Sequence, residues 1–145
     1  MSTAGRENRP VVVGVDGTDA SLRALEWAIE EAQLRGCAVH AVTVWSVDPA
    51  RDIAGTSPAE ARETHQQQLT RSVAKVIDGR TGLPQILPRL IESTPTAGLV
   101  EAAEGAALLV LASHGGERLR KFFVGSVSAG CARHATVPVV LVPPA

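Results

Sequence analysis

The sequence has 145 residues, a net charge of -1 and 45% hydrophobic residues. That length suits one domain whose core needs no metal or disulfide. The small charge and the 3% aromatic content, with no tyrosine, exclude a base-stacking platform for single strands and leave no field for nucleic acid or an anionic membrane.

The first stretch, MSTAGRENR (1–9), is polar and lacks the apolar segment of a signal peptide. It reads as a flexible tail before a domain spanning 10–145. No apolar run reaches membrane-span length, so the expected location is cytoplasmic. PVVVGVD (10–16) is a β-branched run, suited to a strand buried on both faces. Thr18, Asp19 and Ser21 offer caps for a helix over about 19–35. In that helix Leu22, Leu25, Ile29 and Ala32 share one stripe. CAVHAVTVW (37–45) is the second strand. After a loop with two prolines comes a longer helix over about 59–78, with Leu69, Val73, Val76 and Ile77 inward. PQILPRLIES reads as a third strand that Pro84 and Pro88 push to a sheet edge. A short helix over 95–104 opens with proline. AALLVLAS (106–113) is a fully apolar fourth strand. A glycine-bearing loop leads into a helix over about 126–134, and VPVVLVPP closes the chain as the fifth strand.

Strands alternate with helices throughout. That order predicts an α/β fold: one domain, an open parallel five-stranded sheet, right-handed crossovers and helices on both faces. In such sheets ligands sit beyond the carboxyl ends of the strands, where strand order reverses. The exits of strands one and four, GVDGT and ASHGG, are the most polar and glycine-rich.

The loop ASHGGERLRKFFVGSVS (112–128) suits a phosphate cradle. Gly115, Gly116 and Gly125 permit close backbone approach. Ser126 adds a hydroxyl at a helix N-terminus, which attracts anions. Arg118, Arg120 and Lys121 offer positive charge. The same stretch also suits an ordinary strand-to-helix connection with a capping serine and solvated arginines. Asp16 suits a ribose or a phosphate-bound metal, or a cap for the next helix. Neither GxxxxGK[ST] nor a GxGxxG after strand one is present, which argues against a Walker-type NTPase and a dinucleotide-binding Rossmann enzyme. Ser113 and His114 lie in no nucleophile elbow. Cys37 and Cys131 fit no metal or redox spacing and read as buried free thiols. The histidines fit no metal-ligand pattern.

These segments resemble the universal stress protein family. Its ATP-binding signature is G-x2-G-x9-G-[ST]. Here Ala112-Ser-His-Gly115, nine residues and Gly125-Ser126 match three of the four fixed positions, with Ala112 in place of the first glycine. VVVGVDGT, LVEAAEGAALLVLASHG, VGSVS and CARHATVPVVLV follow the family's order. The resemblance implies strand order 3-2-1-4-5, a Rossmann-like fold of the adenine nucleotide alpha hydrolase-like type, and a homodimer. The position of the last strand at a sheet edge in that order predicts pairing through VPVVLV (137–142), bounded by Val137 and Val142. In nucleotide-binding members the residue matching Asp16 lies near ribose and phosphates, the one matching Val44 meets adenine, and the loop matching Gly115, Gly125, Ser126 and Val127 binds the triphosphate. The candidate nucleotide-binding set is thus Val15, Asp16, Gly17, Val44, Ala112, Ser113, Gly115, Gly116, Arg118, Gly125, Ser126, Val127 and Ser128. Asp16 is also the candidate for phosphate-bound Mg. The implied ligand is ATP or another adenine nucleotide, including a cyclic one. The leading function is a dimeric regulatory module of the stress response with no catalytic residue. A slow ATPase, with Asp16 or His114 as proton acceptor, and a nucleotide-free interaction protein are the other two readings.

Overall fold

The computed structural model describes residues 8–47, 57–113 and 125–144. Five strands run in the sequence order β1 (Val11–Gly14), β2 (Val39–Trp45), β3 (Ile86–Glu92), β4 (Leu108–Ala112) and β5 (Val139–Val142). They form one sheet in the order β3-β2-β1-β4-β5. Every neighbouring pair is parallel. Four helices connect them: α1 (Asp19–Arg35), α2 (Pro58–Ile77), α3 (Pro95–Ala102) and α4 (Ser126–His134).

Local chemistry sets the helix starts. The Thr18 hydroxyl accepts from Ser21 N at 3.2 Å and caps α1. Ser57 does the same for α2, accepting from Glu60 N at 3.1 Å, with Pro58 in the first turn. Asp16 therefore does not cap α1. At α4 the cap is Gly125, and Ser126 is the first helical residue.

Strand alternation divides the core between the two faces. Val11, Val13, Val110 and Ala112 pack with Leu25, Ile29 and Leu69 beneath α1 and α2. Val12, Val42, Leu109 and Leu111 pack with Leu99 and Cys131 beneath α3 and α4. Helices thus cover both faces, as the run of fully buried valines in β1 requires. Leu22, Leu25, Ile29 and Ala32 form the buried stripe of α1. Cys37 and Cys131 are free and buried, and burial pushes both thiols up from their ordinary pKa.

The two edges differ. Val39 N donates to Gln85 O and Ser93 N to Trp45 O. Odd-numbered backbone groups of β3 therefore face β2, and even-numbered ones face outward. Pro88 lacks its N–H on the open side, so it costs no ladder bond and blunts that edge. At β5, Leu109 N donates to Pro138 O and Ser113 N to Val142 O. The same alternation turns the N–H and C=O groups of Val139 and Leu141 outward.

Candidate nucleotide-binding cleft

β1 leads to β2 on one side of the sheet centre, while β4 lies on the other. The chain must part there, and a cleft of about 220 Å³ opens at the carboxyl ends of β1 and β4. Val42, Val44, Leu99, Leu111 and Val127 give it apolar walls. Asp16, Ser21 and Ser128 are its polar side chains, and Pro95 brings the start of α3 to its rim.

The exit of β1 is tightly organised. Thr18 N and Thr18 Oγ1 donate to Asp16 Oδ1 at 3.0 and 2.6 Å. Asp16 N donates to Ser21 Oγ at 3.2 Å, and Ser21 Oγ donates to Thr18 O at 3.0 Å. Gly17 sits in this turn at φ +85°, a conformation that favours glycine. Thr43 Oγ1 donates to Val15 O at 2.7 Å and ties the same exit to β2. The Asp16 carboxylate is thus exposed at the cleft on a braced backbone.

The opposite wall is the start of α4. Its first intrahelical bond runs from Ala129 N to Gly125 O. The N–H groups of Ser126, Val127 and Ser128 precede that bond and have no helical acceptor. Among the described residues no side chain caps this end, and such a helix start can receive an anion. Gly125 has φ -53°, and a Cβ there would meet nothing within 4 Å. Neither backbone conformation nor contact with described residues demands glycine at 125. Ser128 is buried, and its hydroxyl donates to Ala112 O at 3.5 Å, joining α4 to the end of β4.

Of the residues singled out from sequence, Val15, Asp16, Val44, Ala112, Val127 and Ser128 come together as cleft lining. Gly17 lies in the turn behind Asp16, and Ser113 spends its N–H on Val142 O. Gly125 and Ser126 stand next to Val127 at the helix start. Gly115, Gly116, Arg118, Arg120, Lys121 and His114 lie outside the described residues. Among the described residues no three His, Cys, Asp or Glu side chains gather into a metal-binding group. Ser21, Val42, Pro95, Leu99 and Leu111 also line the cleft. In sequence they look like core or caps. Nothing in their spacing separates a wall residue from a core residue.

The profile of the Universal stress protein family matches residues 7–143. This chain belongs to the universal stress protein family. A curated universal stress protein of Mycolicibacterium smegmatis is 34% identical over 137 residues, 93% of this chain and 46% of that protein. One from Mycobacterium tuberculosis is 27% identical over 146 residues, 97% of this chain and 49% of its own length. The chain spans about half the length of these curated relatives. Among solved structures, a universal stress protein in complex with cAMP superposes with a TM-score of 0.72 at 26% identity, covering 92% of this chain and 96% of its own. The universal stress protein from Archaeoglobus fulgidus in complex with dAMP gives 0.59 at 25% identity, covering 92% and 96%. The universal stress protein fold thus accounts for the five-stranded order seen here. The ligands of both solved neighbours are adenine nucleotides.

Proposed function

We propose that this universal stress protein binds an adenine nucleotide, with ATP as the first candidate, in the cleft between the exits of β1 and β4. The observation that carries the reading is the convergence of three unlike surfaces in one crevice: the apolar wall at Val44 and Leu99, the Asp16 carboxylate, and the start of α4, which no described side chain caps. An adenine ring suits the first, ribose hydroxyls the second and phosphates the third. Asp16 is the residue that would hold Mg, which would supply positive charge against the phosphates. The solved relatives with cAMP and dAMP support the adenine part of this reading and extend the candidate ligands to monophosphates. Of the loop, Gly115, Gly116 and Arg118 are proposed from sequence as further phosphate contacts.

The protein acts as a binding module of the cytoplasm and turns ATP over slowly at most. Phosphoryl transfer needs a positioned metal, a cationic clamp and an oriented nucleophile. Asp16 Oδ1 already accepts two hydrogen bonds from Thr18, a poor setting for a general base. The functional unit is a homodimer through β5. Its outward Val139 and Leu141 groups form an open edge, whereas Pro88 blunts the opposite one.

The test is direct. The purified protein is denatured, and released small molecules are identified by mass spectrometry. Calorimetry then compares ATP, AMP and cAMP on the wild type and Ser126→Ala. Loss of a hydrogen bond to a charged group costs about 1.5–3 kcal/mol, so Ser126→Ala weakens ATP by roughly tenfold or more. Wild-type protein that neither carries nor binds any adenine nucleotide would leave the interaction-protein reading in its place.

A further inference from the structure

Behind the Asp16 turn stands a residue of α2 that lies outside the cleft lining. A Cβ on Gly17 would come within 2.7 Å of Gln68 Cδ and still closer to Nε2. The amide end of Gln68 therefore fills the space that a side chain at 17 would take. It rests against bare backbone, one residue from the Asp16 carboxylate. Two neighbours fix α2 at this level. Leu69 is fully buried in the core. His65 lies over Trp45 at the exit of β2, with ring centroids 5.9 Å apart. Gln68 is thus held in place by its own helix, while Ser21 and Thr18 brace the turn from the side of α1.

We infer that Gln68 is a positioning residue for the nucleotide site: its side chain backs the Asp16–Gly17–Thr18 turn and sets the direction in which Asp16 faces the cleft. The inference rests on the nucleotide reading above. A glycine turn at positive φ has many alternatives once nothing stands behind it. A site that must order such a turn on binding loses affinity to that ordering, and a backed turn does not. The support is one of shape, so a neutral side chain of equal length replaces it. A carboxylate of the same shape would set negative charge beside Asp16 and oppose a phosphorylated ligand.

Three variants test this on the full chain with ATP and adenosine as probes. Gln68→Ala weakens both ligands by about three- to tenfold. Gln68→Met restores both to within about twofold of wild type. Gln68→Glu weakens ATP more than adenosine, a split that a purely structural defect would not produce. A measurement without ligand accompanies them: exchange of the Thr18 amide, which donates to Asp16 Oδ1, is faster in Gln68→Ala than in wild type. Wild-type affinities in all three variants with unchanged Thr18 exchange overturn the inference while leaving the nucleotide reading intact. If the wild type binds neither probe, ATP is removed as the ligand, and the nucleotide reading passes to the test with AMP and cAMP above. The exchange rate then decides alone whether Gln68 backs the turn: a faster rate supports it and an unchanged rate refutes it.

Discussion

Gly98 of α3 and Val44 of β2 meet so closely that a methyl on Gly98 would lie 2.8 Å from both Val44 methyl carbons. The helix is seated on the strand at the residue expected to meet adenine. Gly98→Ala must push Val44 or lift α3. Overpacking of this kind costs about 1–3 kcal/mol. The displaced valine also narrows the cleft, so adenosine affinity falls roughly fivefold. Chemical denaturation and calorimetry on one preparation check both effects. Unchanged stability would mean that α3 shifts freely, and the wall at Val44 would no longer count as rigid.

Ala112 is the departure from the ATP-binding signature, and its side chain belongs to the core beneath α1 and α2, 6% exposed. It ends β4 in register with Val142, where extended backbone suits alanine. The methyl packs in that core, while the residue itself also borders the cleft at the end of the strand. Sequence reasoning alone would expect glycine here to admit the ligand more closely. The structure instead predicts that Ala112→Gly loses about 1–2 kcal/mol from the missing methyl and the freer backbone, with ATP affinity within about threefold of wild type. A tenfold gain in affinity would show that the methyl obstructs the ligand.

The open edge of β5 predicts the behaviour of Leu141→Pro. The Leu141 N–H points away from β4, so its removal spares the internal ladder and copies onto β5 the device that Pro88 gives β3. Light scattering is expected to find dimer for the wild type and monomer for the variant, with the circular dichroism spectrum preserved. A dimer that survives the substitution places the contact elsewhere.

His40 Nδ1 lies 3.4 Å from Arg89 Nη1 on the neighbouring strand. Arginine can only donate, so Nδ1 is the acceptor and the ring is neutral. Burial, then the Arg89 charge, holds its pKa below the ordinary 6.5. The unfolded chain takes up the proton first. Stability from this site is full above pH 6.5 and is lost as pH falls towards the lower folded value. His40→Gln keeps an acceptor and does not titrate. Urea midpoints between pH 8 and 5 are expected to fall more steeply for wild type than for this variant; parallel slopes would remove His40 from the acid response.

The sequence by itself determined the alternation of strands and helices, because β-branched runs and helical apolar stripes carry their periods locally. It determined that PVVVGVD is buried on both faces, that Pro88 belongs to an edge, and that the exits of β1 and β4 are the polar ones. Through its signature residues it also determined the family and pointed to Asp16, Val44 and Val127. Other features were decided only by the tertiary structure. Leu99 and Pro95 enter the cleft because α3 lies against β2 at Gly98, a contact between residues more than fifty positions apart. Gln68 stands behind Gly17 for the same kind of reason. Whether the Ala112 methyl faces ligand or core depends on which side of β4 it occupies, and strand register fixed that. A lone residue's type states what it can bury or bond. Which neighbour it meets is set by the crossing of elements that are distant along the chain, and no local period encodes that crossing.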